Sequence, residues 1–156
     1  MATMTGAKAG GVTFEGVSKR YGAFAAVDDV SFTIDPGTLV TLLGPSGCGK
    51  TTTLRMAAGL ETASSGRIRI GGEDVTHRAA SERNVSLVFQ SYALFPHMSV
   101  LENVCYGPIS AKVDKARARE LAQDKLKMLG LAGLESRLPS ELSGGQQQRV
   151  AIARAL

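Results

Sequence analysis

The sequence contains no tryptophan, and its three tyrosines and five phenylalanines make up only 5% of 156 residues. It therefore lacks the row of aromatic side chains on which single-stranded nucleic acids stack. It has two cysteines, Cys48 and Cys105, and their spacing fits no metal site. We expect both to be reduced thiols of a cytosolic protein.

Long apolar runs are also missing. No stretch approaches the roughly 18 residues that span a bilayer, and the first residues lack the apolar core of a signal peptide. We therefore expect a soluble chain that reaches a membrane only through a partner.

The net charge of +4 could indicate a nucleic-acid partner. The basic residues, however, concentrate between Lys112 and Lys127, interleaved with acidic residues and with apolar residues at helical spacing. The solvated face of an amphipathic helix explains this pattern, so we predict no nucleic-acid partner.

The residues from Gly44 to Thr51 match the phosphate-binding pattern G-x-x-x-x-G-K-[ST]. The apolar run Leu39 to Leu43 before it predicts a parallel strand buried on both faces. Thr51 to Ala58 after it predict a helix that ends at Gly59. Strand, loop and helix form the setting that this motif requires, which argues against an ordinary glycine-rich turn.

Each residue type in this loop suits a phosphate. Gly47 and Gly49 let backbone N–H groups converge on an anion, and the helix N-terminus adds partial positive charge. Lys50 supplies a charge for the β- and γ-phosphates, and the Thr51 hydroxyl is a ligand for Mg²⁺. The residues predicted to contact the nucleotide are Gly44, Pro45, Ser46, Gly47, Cys48, Gly49, Lys50, Thr51 and Thr52. Alkylation of Cys48 is expected to block this binding. The loop alone leaves kinases, GTPases and ATPases open.

A second glycine-rich loop, LSGGQQQR, begins at Leu142. Ser143 and Gln146 form a capping box that predicts a helix N-terminus, and Gly144 and Gly145 leave its N–H groups accessible. Alone it could be only a helix cap. With the phosphate loop, however, it makes residues 12–156 resemble the nucleotide-binding subunit of an ABC transporter, most closely of bacterial importers of iron, polyamines, phosphonates or sulfate.

This resemblance implies an ATPase that binds ATP and Mg²⁺ in a head-to-tail dimer. It implies that Ser143, Gly144, Gly145 and Gln146 touch ATP held by the other subunit. Tyr21 takes the place of an aromatic ring against adenine, although it could also be an ordinary turn or core tyrosine. Gln90 takes the place of the family's Q-loop glutamine, a catalytic residue that contacts Mg²⁺ or its water, although alone it could be an ordinary solvated loop residue.

The fold expected from the resemblance is an α/β phosphate-loop NTPase domain. We predict a disordered tail over residues 1–11, an ATP-binding core over 12–90, a helical subdomain over 91–141 and the signature motif with its helix over 142–156. In the core, Val12–Val17, Val30–Ile34 and Arg67–Ile70 predict antiparallel strands, and Leu39–Leu43 and Val85–Phe89 predict part of a parallel sheet.

In the helical subdomain, the capping box of Ser99 and Glu102 opens a helix over Val100–Tyr106 that Gly107 and Pro108 end. Gly130 ends the charged helix. The resemblance places the contact with membrane permease subunits in the preceding apolar segment, at Phe95, Pro96, His97 and Met98. Local packing explains that segment equally well.

The resemblance predicts an importer subunit at the cytoplasmic face of a bacterial inner membrane, served indirectly by a periplasmic solute-binding protein. The alternatives are a non-transport ABC ATPase and an inert nucleotide-binding fragment. In the family, the Asp that binds Mg²⁺ and the Glu that acts as general base follow the signature helix. These 156 residues do not include them, so we expect an incomplete domain that is poorly stable and hydrolyses no ATP alone.

Overall fold

The structure is a computed structural model that describes residues 10–156. The predicted disordered tail therefore lies outside the described residues, apart from Gly10 and Gly11. The Gly11 carbonyl accepts a hydrogen bond from the Gly71 N–H at 2.9 Å. The chain divides into two compact units, the first ending at Val85 and the second beginning at Ser86, whereas the sequence analysis placed the boundary after Gln90.

The first unit contains a four-stranded antiparallel sheet in the order β2-β1-β3-β4. Its strands are β1 (Val12–Tyr21), β2 (Phe24–Ile34), β3 (Ser65–Ile70) and β4 (Glu73–Asp74). The three predicted antiparallel strands are present. β1 and β2 are longer than expected because the turn at Gly22 lets them pair as far as Tyr21 and Phe24.

One helix, α1 (Lys50–Ala58), packs its buried Met56 into the core of this unit. Phe14 and Phe32 stack there with ring centroids 4.6 Å apart. The buried residues of this core are Phe14, Val17, Val27, Met56, Ile68 and Val75.

The predicted parallel strands are not formed by the described residues. Leu39–Leu43 and Val85–Phe89 have no regular secondary structure, and the side chain of Leu39 is 98% exposed. A strand is stabilised by its hydrogen bonds to a neighbour, and neither segment pairs with another strand of the described chain. Their apolar composition therefore did not predict their conformation here.

The second unit contains the helices α2 (Val100–Ser110), α3 (Lys115–Met128) and α4 (Gly144–Ala155). The prediction that α2 ends at Gly107 was wrong. The helix continues through Pro108, because Ala111 still donates to the Gly107 carbonyl and Lys112 to the Ile109 carbonyl. Proline removes its own N–H from the ladder and its ring crowds the carbonyl four residues earlier, but these later bonds continue the helix.

Apolar faces of the three helices form the core of the second unit. The predicted end of the charged helix is confirmed, since α3 stops before Gly130, which has φ of 66°. The buried core residues are Val100, Leu101, Val104, Cys105, Ala122, Leu126, Leu131, Leu142, Val150 and Ala153.

Candidate functional site

The phosphate loop leads directly into α1, as the sequence predicts. Gly49 is the N-cap of the helix and has φ of 88°, and Gly47 has φ of 82°. A Cβ on Gly49 would collide with the Ala26 carbonyl of β2, so this position requires glycine for space as well as for conformation. The loop backbone is thus held against the sheet.

No side chain caps the N-terminus of α1 within the described residues, and its first turn carries no acidic residue. The first N–H groups of a helix have no intrahelical acceptors and carry partial positive charge. The loop and the helix terminus together therefore present the donors and the potential that an anion needs.

The Lys50 ammonium folds back onto the loop. Its Nζ donates to the carbonyls of Gly44 and Pro45, each at 2.7 Å, and lies 3.4 Å from the Cys48 Sγ. In the described part of the chain, the Lys50 ammonium therefore contacts only neutral acceptors. Because hydrogen bonds between two charged groups are stronger than those to neutral carbonyls, a phosphate entering the loop would compete well for this ammonium.

The hydroxyl-bearing residues after Lys50 differ in exposure. Thr51 is exposed in the first turn of α1 and Thr52 is half-buried. Thr53 is buried, and its hydroxyl donates to the Gly49 carbonyl at 3.0 Å. Thr51, the predicted Mg²⁺ ligand, is therefore the most exposed of the three residues.

Tyr21 lies at the end of β1 and is 49% exposed. Its hydroxyl donates to Glu61 Oε2 at 2.9 Å, and the Lys19 ammonium lies 4.8 Å from its ring centroid. The hydrogen bond to the anionic Glu61 is the main cause that raises the pKa of Tyr21. Hydrogen bonds from Lys19 and then Tyr21 lower the pKa of Glu61.

The signature loop forms the predicted capping box at the start of α4. The Gln146 N–H donates to the Ser143 hydroxyl at 3.3 Å, and the Ser143 N–H donates to Gln146 Oε1 at 2.9 Å. Gly144 and Gly145 are exposed, and a Cβ at either would meet open space. No steric clash within the described residues therefore requires glycine at these two positions.

Gln90 is exposed in a turn of the second unit. Tyr92 and Ala93, just after it, adopt left-handed φ values of 62° and 47°. The Arg154 guanidinium, from the last turn of α4, donates to the Ala93 carbonyl at 2.7 Å and to the Tyr92 carbonyl at 3.1 Å. The signature helix thus holds the turn that follows Gln90.

The segment predicted to contact a permease is ordered by Asn103, which is fully buried in α2. Its side-chain oxygen accepts from the Phe95 N–H at 2.8 Å, and its amide donates to the carbonyls of Phe95, Met98 and Ser99. The Phe95 ring packs on Tyr106, with centroids 4.6 Å apart. Pro96 and His97 are exposed.

A groove of about 470 Å³ lies beside this segment, and of the four predicted contact residues only Met98 lines it. The sequence analysis missed the groove because its wall comes from α2 and the start of α3. Its lining residues are Met98, Leu101, Glu102, Cys105, Tyr106, Ile109, Ser110, Lys115 and Arg119.

Sequence reasoning also missed three residues that hold the candidate site: Glu61, Asn103 and Arg154. Glu61 contacts a residue 40 positions away and Arg154 residues 61 and 62 positions away, so no local pattern indicates them. Asn103 carried a signal, since it is a polar residue among the apolar positions of α2.

None of the helices within residues 10–156 has the length and the apolar composition that a membrane span requires.

Comparison with known proteins adds the following. A family model described as "ABC transporter" matches residues 27–156. The chain is 69% identical over 149 residues to the Fe(3+) ions import ATP-binding protein FbpC of Agrobacterium fabrum, covering 96% of this chain and 42% of that protein. It is 65% identical over 153 residues to the protein of the same name from Brucella abortus, covering 98% and 43%. The chain therefore spans about two fifths of the length of these curated relatives.

Solved structures give the same relationship. A dimeric bacterial ABC transporter cassette has a TM-score of 0.82 and 34% identity, covering 93% of this chain and 68% of that one. A dimeric post-hydrolysis state of an ATP-binding cassette, bound to ADP and Pi, has a TM-score of 0.81 at the same identity and coverage. A nucleotide-free ATP-binding cassette has a TM-score of 0.82 and 30% identity, covering 94% and 64%.

Proposed function

Because the chain belongs to the ABC transporter family, we propose that it binds ATP as part of the ATPase subunit of an importer. The observation that carries this proposal is the phosphate loop. Lys50, the left-handed Gly49 and the N-terminus of α1, which no described side chain caps, lie together there and supply the positive charge and the N–H donors that an anion needs. The predicted nucleotide contacts from Gly44 to Thr52 belong to this loop and to the first turn of α1.

The Thr51 hydroxyl suits Mg²⁺, because the cation prefers hard oxygen ligands and Thr51 is an exposed residue directly after Lys50 in the first turn of α1. Bound there, Mg²⁺ would neutralise charge on the transferred phosphate. Gln90 is proposed as the second residue to contact the cation or its water. Its exposure in a turn is compatible with this role, which rests on the family resemblance.

We propose that Ser143, Gly144, Gly145 and Gln146 contact ATP held by a second copy in a head-to-tail dimer. The exposed glycine pair at the start of α4 supports this, since a Cβ at either position would meet no described atom within 4 Å and the helix N-terminus is therefore open to a ligand. A cassette 34% identical to this chain is dimeric in its solved structure.

The proposed solute is iron(III), because relatives 65% and 69% identical are named Fe(3+) ions import ATP-binding proteins. In this proposal the subunit lies at the cytoplasmic face of a bacterial inner membrane, bound to permease subunits that receive the solute from a periplasmic binding protein. The apolar groove between Met98 and Ile109 is the surface that supports permease contact, together with exposed Pro96 and His97.

Co-purification tests the transport assignment. The tagged chain, co-expressed with the permease subunits of the Agrobacterium importer, is expected to be recovered with them from solubilised membranes. Ile109→Arg places a charge in the groove and is expected to abolish recovery, whereas Met128→Arg, on an exposed part of α3 outside the groove, is expected to preserve it. Recovery of nucleic acid in place of permease would favour a non-transport ABC ATPase.

A further inference from the structure

The side chain of Tyr21 is held at two points although it lies near the surface. Its hydroxyl donates to Glu61 Oε2 at 2.9 Å, and one face of its ring is covered by the Lys19 ammonium, 4.8 Å from the centroid. A half-exposed tyrosine without such partners would sample several rotamers. Here both the direction of the ring and its free face are fixed.

Glu61 uses both carboxylate oxygens for this arrangement. Oε2 accepts from Tyr21, and Oε1 accepts from the Lys19 Nζ at 2.7 Å. Lys19 also donates to the Thr62 carbonyl at 2.9 Å. The side chains of Lys19 and Glu61 are only 13% and 25% exposed, so this ion pair is less screened than a pair in open solvent.

The backbone connects the cluster of Lys19, Tyr21 and Glu61 to the phosphate loop. α1 begins at Lys50 and ends at Ala58, and Glu61 follows three residues later. The Gly59 and Leu60 N–H groups bond back to the last turn of α1, at 3.2 and 2.9 Å, so the link is ordered. One short helix thus carries the proposed phosphate donors at its start and the partner of Tyr21 just after its end.

We propose that Lys19 and Glu61 position Tyr21 as a preset platform for the nucleobase, so that the base stacks on the ring face opposite Lys19. This rests on the proposed binding of ATP and adds two positioning residues to it. Fixing the ring before binding removes the cost of ordering a side chain on association. The cluster thereby contributes to affinity for the base and not for the phosphates.

Calorimetric titration of the whole chain with ATP, and separately with inorganic tripolyphosphate, tests the proposal because only ATP carries a base. Tyr21→Ala is expected to weaken ATP binding about tenfold, the range for one stacked base. Glu61→Met and Tyr21→Phe keep the ring but remove the hydrogen bond that holds it, and each is expected to weaken ATP binding about three- to fivefold. Tripolyphosphate affinity is expected to stay unchanged in all three.

Two controls separate positioning from a structural role. Glu15→Met removes the carboxylate of another ion pair, between Glu15 of β1 and Arg69 at 3.0 Å, and is expected to leave both affinities unchanged. The double variant Tyr21→Phe with Glu61→Met is expected to lose less than the sum of the two single losses, because both changes remove the same hydrogen bond. Thermal unfolding checks that each variant is folded.

The outcomes distinguish this inference from the function on which it rests. If Tyr21→Ala weakens ATP binding while Glu61→Met and Tyr21→Phe do not, the ring acts without its partners and the inference is wrong. Equal losses for ATP and tripolyphosphate would also overturn it, since the cluster would then be structural. Failure of the unmodified chain to bind either ligand would overturn the proposed ATP binding itself.

Discussion

Two glycines of the phosphate loop share a left-handed conformation but differ in their surroundings. Gly49 has φ of 88° and backs onto the Ala26 carbonyl, whereas Gly47 has φ of 82° and faces open space. Alanine at either position is expected to cost about 1–2 kcal/mol through its φ angle. Gly49→Ala should reach about 3 kcal/mol or more, because the added methyl also pushes α1 away from β2.

Urea unfolding of both variants, with the unmodified chain as reference, measures this difference in unfolding free energy. Equal losses for Gly47→Ala and Gly49→Ala would show that the close approach to β2 contributes nothing. The sequence motif predicts that both positions are glycine, but only the structure separates the two reasons.

The two cysteines are expected to react at very different rates. Cys48 is exposed in the phosphate loop with the Lys50 ammonium 3.4 Å from its Sγ, whereas Cys105 is buried in the helical core. Burial raises the pKa of the Cys105 thiol, which reduces its thiolate fraction. N-ethylmaleimide should therefore label Cys48 in the folded chain and Cys105 only after unfolding.

Saturating MgATP is expected to slow the labelling of Cys48, because phosphates in the loop cover the Sγ and draw Lys50 away from it. Mass spectrometry of labelled peptides measures both rates, with Cys105 as the internal control for folding. Labelling of Cys48 at one rate with and without MgATP would contradict the placement of the nucleotide in this loop.

At the scale of elements, an arginine donates hydrogen bonds to the C-terminal carbonyls of α1. Within residues 10–156 it pairs with no carboxylate. The Arg83 guanidinium is part of a side chain only 4% exposed, and it donates to the carbonyls of Met56, Ala57, Thr76 and Arg78 at 2.6–3.2 Å. Its charge thus faces the negative end of the α1 dipole.

Arg83→Met keeps an unbranched stem but removes the guanidinium and all of its donors, leaving the carbonyls of Met56, Ala57, Thr76 and Arg78 without this partner. We expect a loss of about 3 kcal/mol in unfolding free energy, measured by chemical denaturation. Arg117→Ala, which removes an exposed i,i+3 ion pair with Glu120, is the matched control and should change stability by less than about 0.5 kcal/mol. Equal stability of the two variants would contradict the claim that the hydrogen bonds of Arg83 to the C-terminal carbonyls of α1 stabilise the fold.

Helix boundaries defined by local contacts were predictable. The caps of α1 and α4, and the start of α2 at Ser99, follow from residues within a few positions of one another. The end of α2 could not be predicted in this way, because the helical hydrogen bonds continue after Pro108. The conformation of Leu39–Leu43 could not be predicted either. A strand depends on hydrogen bonds to a neighbouring strand, and the segment itself does not specify that neighbour.

At the scale of the whole molecule, the predicted nucleotide contacts are divided between the two units. The first carries the phosphate loop and Tyr21, and the second carries Gln90 and the signature loop. The two glycine-rich motifs, and the family resemblance for Tyr21 and Gln90, predict these residues from the sequence. The residues that hold them, such as Glu61 for Tyr21 and Arg154 for the turn after Gln90, emerge only from contacts across tens of positions.

The most direct test of the account is the affinity of the chain for ATP in the presence of Mg²⁺, measured by calorimetry beside Lys50→Ala. The account predicts saturable binding that Lys50→Ala weakens at least about tenfold, because each charge-assisted hydrogen bond to phosphate contributes roughly 1.5–3 kcal/mol. Lys127→Ala, which removes an exposed ammonium of α3, controls for net charge and should bind as the unmodified chain does. Equal affinity in the Lys50→Ala variant, or no binding to the unmodified chain, would contradict the account.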